Sequence, residues 1–219
     1  MNHVRSRIRS AAIAAGRDPN SVTLVAVTKA KTAESVRLAA TAGVTDFGEN
    51  YLQEAEAKME LLADLKPTWH FIGGIQSNKT RAIAERFDWV QSVDRFSVAR
   101  RLSEQRPFHA PPLNVCIQVA LVPEPTKGGV APDVLTELAT AIAGLPRLTL
   151  RGLMCVPPPQ PNAAAERALF ARLRVALTDL NAGGLKLDTL SMGMSQDFES
   201  AIAEGATLVR IGTALFGAR

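Results

Sequence analysis

The sequence predicts an α/β protein: a single (β/α)8 TIM barrel with one extra N-terminal helix. Three observations predict it. Short apolar runs alternate with longer stretches of helical periodicity. There are eight such runs, apolar on both faces, as strands of a parallel sheet covered by helices are. The 219 residues, 47% of them hydrophobic, suffice for one sizeable core and lie near the compact end of the barrel range.

The elements follow in order. An amphipathic helix over about 2–15 precedes the first strand. Strands are expected at 22–28 (VTLVAVT), 45–48 (TDFG), 69–73 (WHFIG), 88–93 (DWVQSV), 113–120 (LNVCIQVA), 148–154 (LTLRGLM), 187–192 (LDTLSM) and 207–211 (TLVRI). After the second strand, Leu52, Ala55, Met59 and Leu62 recur at helical spacing. Leu169, Leu173, Leu177 and Leu180 do so after the sixth, with Gly183–Gly184 as the stop. No G-x-G-x-x-G follows the first strand, which argues against an open doubly wound sheet. Prolines cluster at 110–114, 121–129 and 155–162, between elements, and read as loops of one domain spanning 1–219. TAGVTDFGEN (41–50) and AEGATLVRIGT (204–213) share a helix end, a glycine, a short strand and a second glycine, as two equivalent βα units would.

Composition narrows the function classes. The net charge is +4, but the cations are scattered. The densest group, Arg5, Arg7 and Arg9, reads as a solvated helix face rather than a nucleic-acid arm. Aromatic residues are only 5%, too few for base-stacking platforms. Cys116 and Cys155 lie in apolar strands without metal-type spacing, and read as buried free thiols of a reducing compartment. Arginines interrupt the N-terminal apolar residues, so no secretory signal is expected. No apolar run reaches the roughly 18–20 residues of a membrane span. A soluble, cytoplasmic protein is expected.

In a βα barrel the chemistry sits at the carboxyl ends of the strands. Val25, Val27 and Lys29 share one parity, so the amine continues one face of the first strand, at the barrel mouth. Partial desolvation there would make it nucleophilic, able to form an imine with an aldehyde. An ion-paired or snorkelling lysine is the competing reading. Lys31, beside a possible N-cap at Thr32, reads as solvated. SMGMS (191–195) ends the seventh strand, with Ser195 a plausible N-cap and Asp197 in the first turn of the next helix. RIGT (210–213) ends the eighth strand. The loops after strands seven and eight are where barrels commonly hold phosphate; glycine and serine serving ordinary turn chemistry are the alternative. A lysine facing a phosphate site suggests a phosphorylated aldehyde, pyridoxal 5′-phosphate (PLP). Arg210 beside the ring could only donate, which would leave the pyridine nitrogen unprotonated and the cofactor a weak electron sink.

The segments AVTKAKT, FGENYLQEAEAK, WHFIGGIQSNK, LRGLM and LSMGMSQDFESAIAEGATLVRIGTALFG together resemble the YggS/PROSC family of PLP homeostasis proteins, from about residue 20 onward. The resemblance implies an alanine racemase N-terminal-like barrel without a second domain, and PLP held as a Schiff base on Lys29. It implies phosphate and ring contacts at Ser191, Arg210, Gly212 and Thr213, and places Asn50 and His70 near the rim. Ile75-Gln76 stands where the family usually has Leu-Gln, a conservative departure. His70, between Trp69 and Phe71, reads more simply as a satisfied core histidine. Tyr51, the chain's only tyrosine, is expected to begin a helix and pack there. Glu49 and Glu199 could meet rim cations or face solvent. Gln76, Asn78 and Lys79 open the helix after strand three and could line the entrance. Lys127 is a possible second PLP-reactive lysine.

The function implied is non-catalytic PLP carriage and homeostasis, with apo-enzymes and free amino acids as possible partners and a monomeric state. The alternative is an amino-acid racemase. In related racemases, the resemblance implies, a tyrosine from a partner's β domain serves the second face of the substrate. No such domain is expected in this chain, and loss of a general acid–base group typically costs on the order of 10²–10⁴ in rate.

Overall fold

The computed structural model describes residues 1–122 and 128–217. Eight parallel strands close into a barrel in chain order. They are β1 (Thr23–Val27), β2 (Asp46–Glu49), β3 (Thr68–Phe71), β4 (Trp89–Val93), β5 (Leu113–Gln118), β6 (Leu148–Met154), β7 (Thr189–Ser191) and β8 (Leu208–Ile211). The helices are α1 (Asn2–Ala14), α2 (Ala33–Thr41), α3 (Leu52–Leu61), α4 (Thr80–Arg86), α5 (Phe96–Gln105), α6 (Leu135–Ala143), α7 (Ala163–Ala182), α8 (Phe198–Ala203) and α9 (Thr213–Phe216). Each expected strand lies within about two residues of its place.

The alternating strand faces divide the buried residues into two sets. Ala26, Phe47, Trp69, Phe71, Ile117, Leu153 and Val209 face outward, in one continuous core with the inner faces of the helices. Phe47, Phe87, Phe170 and Phe198 are fully buried. Each contributes about 1.5–3 kcal/mol through area removed from water. The inward set is different. Val25, Val27, Cys116, Met154 and Leu208 are buried but lie apart from that core. They share the barrel interior with the buried polar side chains of His70, Gln91, Ser191 and Arg210.

The register that places the site is set by β1. Val25 lies opposite Arg210 of β8, and Val27 opposite Gly48 of β2. The chain's first and last strands are thereby neighbours.

Three expectations about helices need correction. On α3, Leu52, Ala55 and Leu62 are buried, but the next fully buried residue is Lys58, with Met59 only partly covered. The stripe therefore carries a cation. Of the three arginines on α1, only Arg9 stands without a partner among the described residues. Arg5 donates to the Ala42 carbonyl at 2.8 Å. Arg7 pairs with Glu199 at 2.6 Å and lies over the Phe198 ring. Those contacts fasten α1 to α8, and they give Glu199 a partner on α1. Tyr51 takes the N-cap position of α3, yet is 60% exposed rather than packed.

Candidate functional site

A cavity of about 600 Å3 opens at the carboxyl ends of the strands. Its walls include Val27 and Lys29 after β1, Asn50 after β2, Ile72 after β3, the 156–160 loop after β6, Met194–Asp197 after β7, and Arg210–Ala214 at the end of β8. Lys29 and the 212–213 turn thus face one space, with Arg210 on its wall.

Lys29 reaches the cavity because its parity is inward, while Thr28 points to the helix side and is fully buried. The residues flanking Lys29 are held by a buried charge cluster. Lys58 Nζ donates to the Thr28 carbonyl at 2.6 Å, to Glu49 Oε1 at 2.7 Å and to Glu54 Oε1 at 2.6 Å. Thr28 Oγ1 donates to Glu49 Oε1 at 2.6 Å. Glu54 Oε1 accepts the Ala30 N–H at 2.5 Å. Ala30 needs that anchor, because its φ of 57° is a left-handed conformation costing about 1–2 kcal/mol for a residue with a Cβ. Of the two expectations for Glu49, it does not face solvent; it pairs with a cation, Lys58, which also holds the end of β1. Burial pushes its carboxyl up despite the bonds from Lys58 and Thr28, and its Oε2 has no partner among the described residues. Among those residues the Lys29 amine has no hydrogen-bond or ion-pair partner. Lys31, by contrast, is tethered rather than solvated, its Nζ donating to the Phe216 carbonyl at 3.1 Å.

Arg210 is buried, and desolvation lowers the pKa of its guanidinium. It donates to Ser191 Oγ at 2.6 Å and to the Cys155 carbonyl at 2.7 Å. Ser191 and His70 do not line the cavity. Ser191 is fully covered beneath Arg210, and His70 is fully covered on the inward face of β3, stacked on Trp89 and bonded to Asp46 and Gln91. Their short side chains end below the floor that Arg210 makes. Asn50 does reach the cavity, and its Oδ1 is buried without a partner among the described residues.

The loops after β7 and β8 meet through Ser195, whose Oγ accepts the Ala214 N–H at 3.2 Å. Ser195 is therefore not the N-cap. That position falls to Asp197, whose Oδ1 accepts the Met194 N–H at 2.6 Å and whose carboxyl is pushed up by burial. Gly193 has φ +93°, ordinary turn chemistry. Gly212 does not, at φ −115°. A Cβ at Gly212 would stand 3.3 Å from the Val27 carbonyl oxygen, so the bare Cα lets the turn approach the end of β1 closely. Gln76 and Lys79 line a neighbouring cavity of about 360 Å3 with Asn50 and Tyr51. Asn78 is exposed. Lys127 lies outside the described residues.

Sequence reasoning missed Lys58 and Gln91. Lys58 was findable, since it stands three residues after Ala55 and six after Leu52, on the stripe itself. Gln91 shares its parity with Trp89, which marks its direction but not its partners.

The model of the family "Alanine racemase, N-terminal domain" matches residues 1–219. The chain belongs to that family. Within it, the pyridoxal phosphate homeostasis protein of Pseudomonas aeruginosa is 63% identical over 216 residues, covering 99% of this chain and 93% of the relative. The protein of the same name from Escherichia coli is 48% identical over 219 residues, covering 99% and 94%. The chain is thus a member of the pyridoxal phosphate homeostasis proteins. PipY of Synechococcus elongatus, solved with PLP bound, is 41% identical with a TM-score of 0.86, covering 96% of this chain and 100% of PipY. The alanine racemase of Corynebacterium glutamicum, 19% identical with a TM-score of 0.70, covers 100% of this chain and 61% of that one and shares the fold.

Proposed function

We propose that this homeostasis protein binds PLP through Lys29 and holds it for other proteins, without turning over a substrate. One observation carries this reading: Lys29 and the Gly212–Thr213 turn face a common cavity with Arg210 on its wall. The residues fit the cofactor. An amine without a partner among the described residues suits an aldehyde, and the 212–214 turn on the cavity wall suits a phosphate. The partnerless Asn50 Oδ1 offers a further polar contact. Arg210, a donor only, suits an unprotonated ring nitrogen. The names of the P. aeruginosa and E. coli relatives and the PLP in PipY support the same ligand.

When bound, PLP supplies an aldehyde for covalent capture by an amine. The chain's own residues do the rest. Lys29 presents the amine, the Glu54–Lys58–Glu49 cluster fixes its backbone, and the 212–214 turn anchors the far end. The carrier reading is favoured over racemisation by what lines the cavity. No tyrosine, histidine or cysteine does so among the described residues. The carboxylates present are engaged, Glu166 with Ser200 and Asp197 with the Met194 N–H. Among the described residues no helix is long and apolar enough to cross a membrane, which agrees with a role in the cytoplasm. The protein acts as a monomer, with free amino acids and apo-enzymes as receivers.

The test is an absorbance spectrum of PLP-loaded protein before and after borohydride reduction, followed by mapping of the modified lysine. Lys29 should carry the adduct, and Lys29→Ala should lose the protein-bound band while staying folded. A band that survives in Lys29→Ala refutes the assignment. Rapid loss of optical purity from single-enantiomer alanine or serine refutes the non-catalytic reading.

A further inference from the structure

Five polar side chains cross the inside of the barrel, from β2, β3, β4, β7 and β8. Asp46 Oδ1 lies 2.9 Å from His70 Nε2. His70 Nδ1 lies 2.8 Å from Gln91 Nε2, and Gln91 Oε1 lies 2.6 Å from Ser191 Oγ. Ser191 Oγ lies 2.6 Å from Arg210 Nη1.

The donor in each link follows from chemistry. A guanidinium can only donate, so Ser191 accepts from Arg210. The single hydroxyl proton of Ser191 is then free for Gln91 Oε1. That turns the Gln91 amide NH2 toward His70, whose Nδ1 must accept. His70 is therefore the neutral ring with its proton on Nε2, donated to Asp46. All four hydrogen bonds run the same way, from a cation at the cavity floor to an anion near the base. Each polarises the next, so the series is stronger than its separate links. Asp46 fits the end of such a chain. Burial works against its charge, yet bonds from His70 and Thr45 outweigh that and hold its carboxyl below the ordinary range.

We propose that Gln91 and His70 are positioning residues: they aim the Arg210 guanidinium into the cavity and tie its charge to Asp46 through the barrel. Arg210 uses one N–H on Ser191 and one on the Cys155 carbonyl, leaving three of its five for a ligand. This rests on the reading that the cavity takes PLP, with Arg210 at the ring nitrogen.

Two measurements test it. In the cofactor-free protein, long-range 15N–1H NMR reads the protonation of each of the three histidine rings. His3 and His109 are exposed and His70 is buried, so the three are separable, and His70→Gln confirms the assignment. The wild type should show His70 neutral and protonated at Nε2. Gln91→Glu, which cannot donate to Nδ1, should show both ring nitrogens protonated. In the second measurement, PLP labelled with 15N at the ring nitrogen is bound to wild type, Gln91→Leu, Ser191→Ala and Ser191→Thr. Gln91→Leu and Ser191→Ala should move the ring-nitrogen resonance and weaken binding roughly tenfold, the weight of about one hydrogen bond. Ser191→Thr, which keeps the hydroxyl, should restore both.

A wild-type His70 protonated on Nδ1 overturns the proposal, and so does a ring-nitrogen resonance that none of the variants moves. Wild-type protein that takes up no PLP refutes the functional reading instead, and the histidine measurement still decides the hydrogen-bond chain.

Discussion

Lys58→Met probes the support beneath the reactive amine. The substitution keeps the stem and removes the ammonium. Lys58 and Glu49 side chains are 6% and 0% exposed, so the Glu49 carboxylate would be left in the interior with only the Thr28 hydroxyl as donor. Breaking a buried pair on one side costs about 3–5 kcal/mol. Domains of this size lose about 2–4 °C of Tm per kcal/mol, so a drop of roughly 6–20 °C is expected in calorimetry. The Thr28 carbonyl also loses its donor, which loosens the strand end carrying Lys29. At a temperature where the variant is folded, PLP uptake should therefore weaken too. Replacing both partners, Lys58→Met with Glu49→Leu, removes the stranded charge and should recover more than half of the lost stability. A Tm within 2 °C of wild type for Lys58→Met, or a double variant no better than the single, would refute the reasoning.

Other outcomes follow from the same structure. Glu54→Gln weakens the anchor on the left-handed Ala30 and should lower PLP affinity several-fold by equilibrium titration, with little change in Tm because Glu54 is partly exposed. Burial pushes both cysteine thiols up to about 12, so neither should react with a thiol reagent at pH 8 until urea unfolds the chain and frees two. The depressed carboxyl of Asp46 contributes stability that is present above its ordinary value of 3.8 and lost as pH falls through the lower folded value. Urea melts of Asp46→Asn should therefore be less stable than wild type at pH 6 and converge with it as the pH falls through the depressed folded value. Gly212→Ala should press on Val27 and push the 212–214 turn away from β1, weakening phosphate-end binding, read as a higher PLP dissociation constant.

Much of the architecture was legible because these strands are buried on both faces. Continuous apolar runs such as LVAV and NVCIQVA announce a parallel sheet without help from distant contacts. Lys29 was legible for a related reason: parity carries the side chain of residue 29 inward wherever β1 ends. What failed to show was depth. Parity also sends His70 inward, but only the closed barrel reveals that it stops beneath Arg210, short of the cavity. Lys58 was hidden by the habit of scoring a cation against an apolar stripe, although a buried lysine with two carboxylates and a carbonyl satisfies the same face. Lys31 and Ser195 failed alike. Each finds its partner across a loop or from another βα unit, and no local pattern encodes that.

The tether from Lys31 to the Phe216 carbonyl joins residues 185 positions apart. The amine beside it is synthesised with the first strand, whereas the turn opposite follows only after the eighth. A stalled or truncated chain would hold the reactive nitrogen with nothing facing it. Ligand capture by this protein should accordingly report that translation ran through β8 and that the final strand has docked against the first.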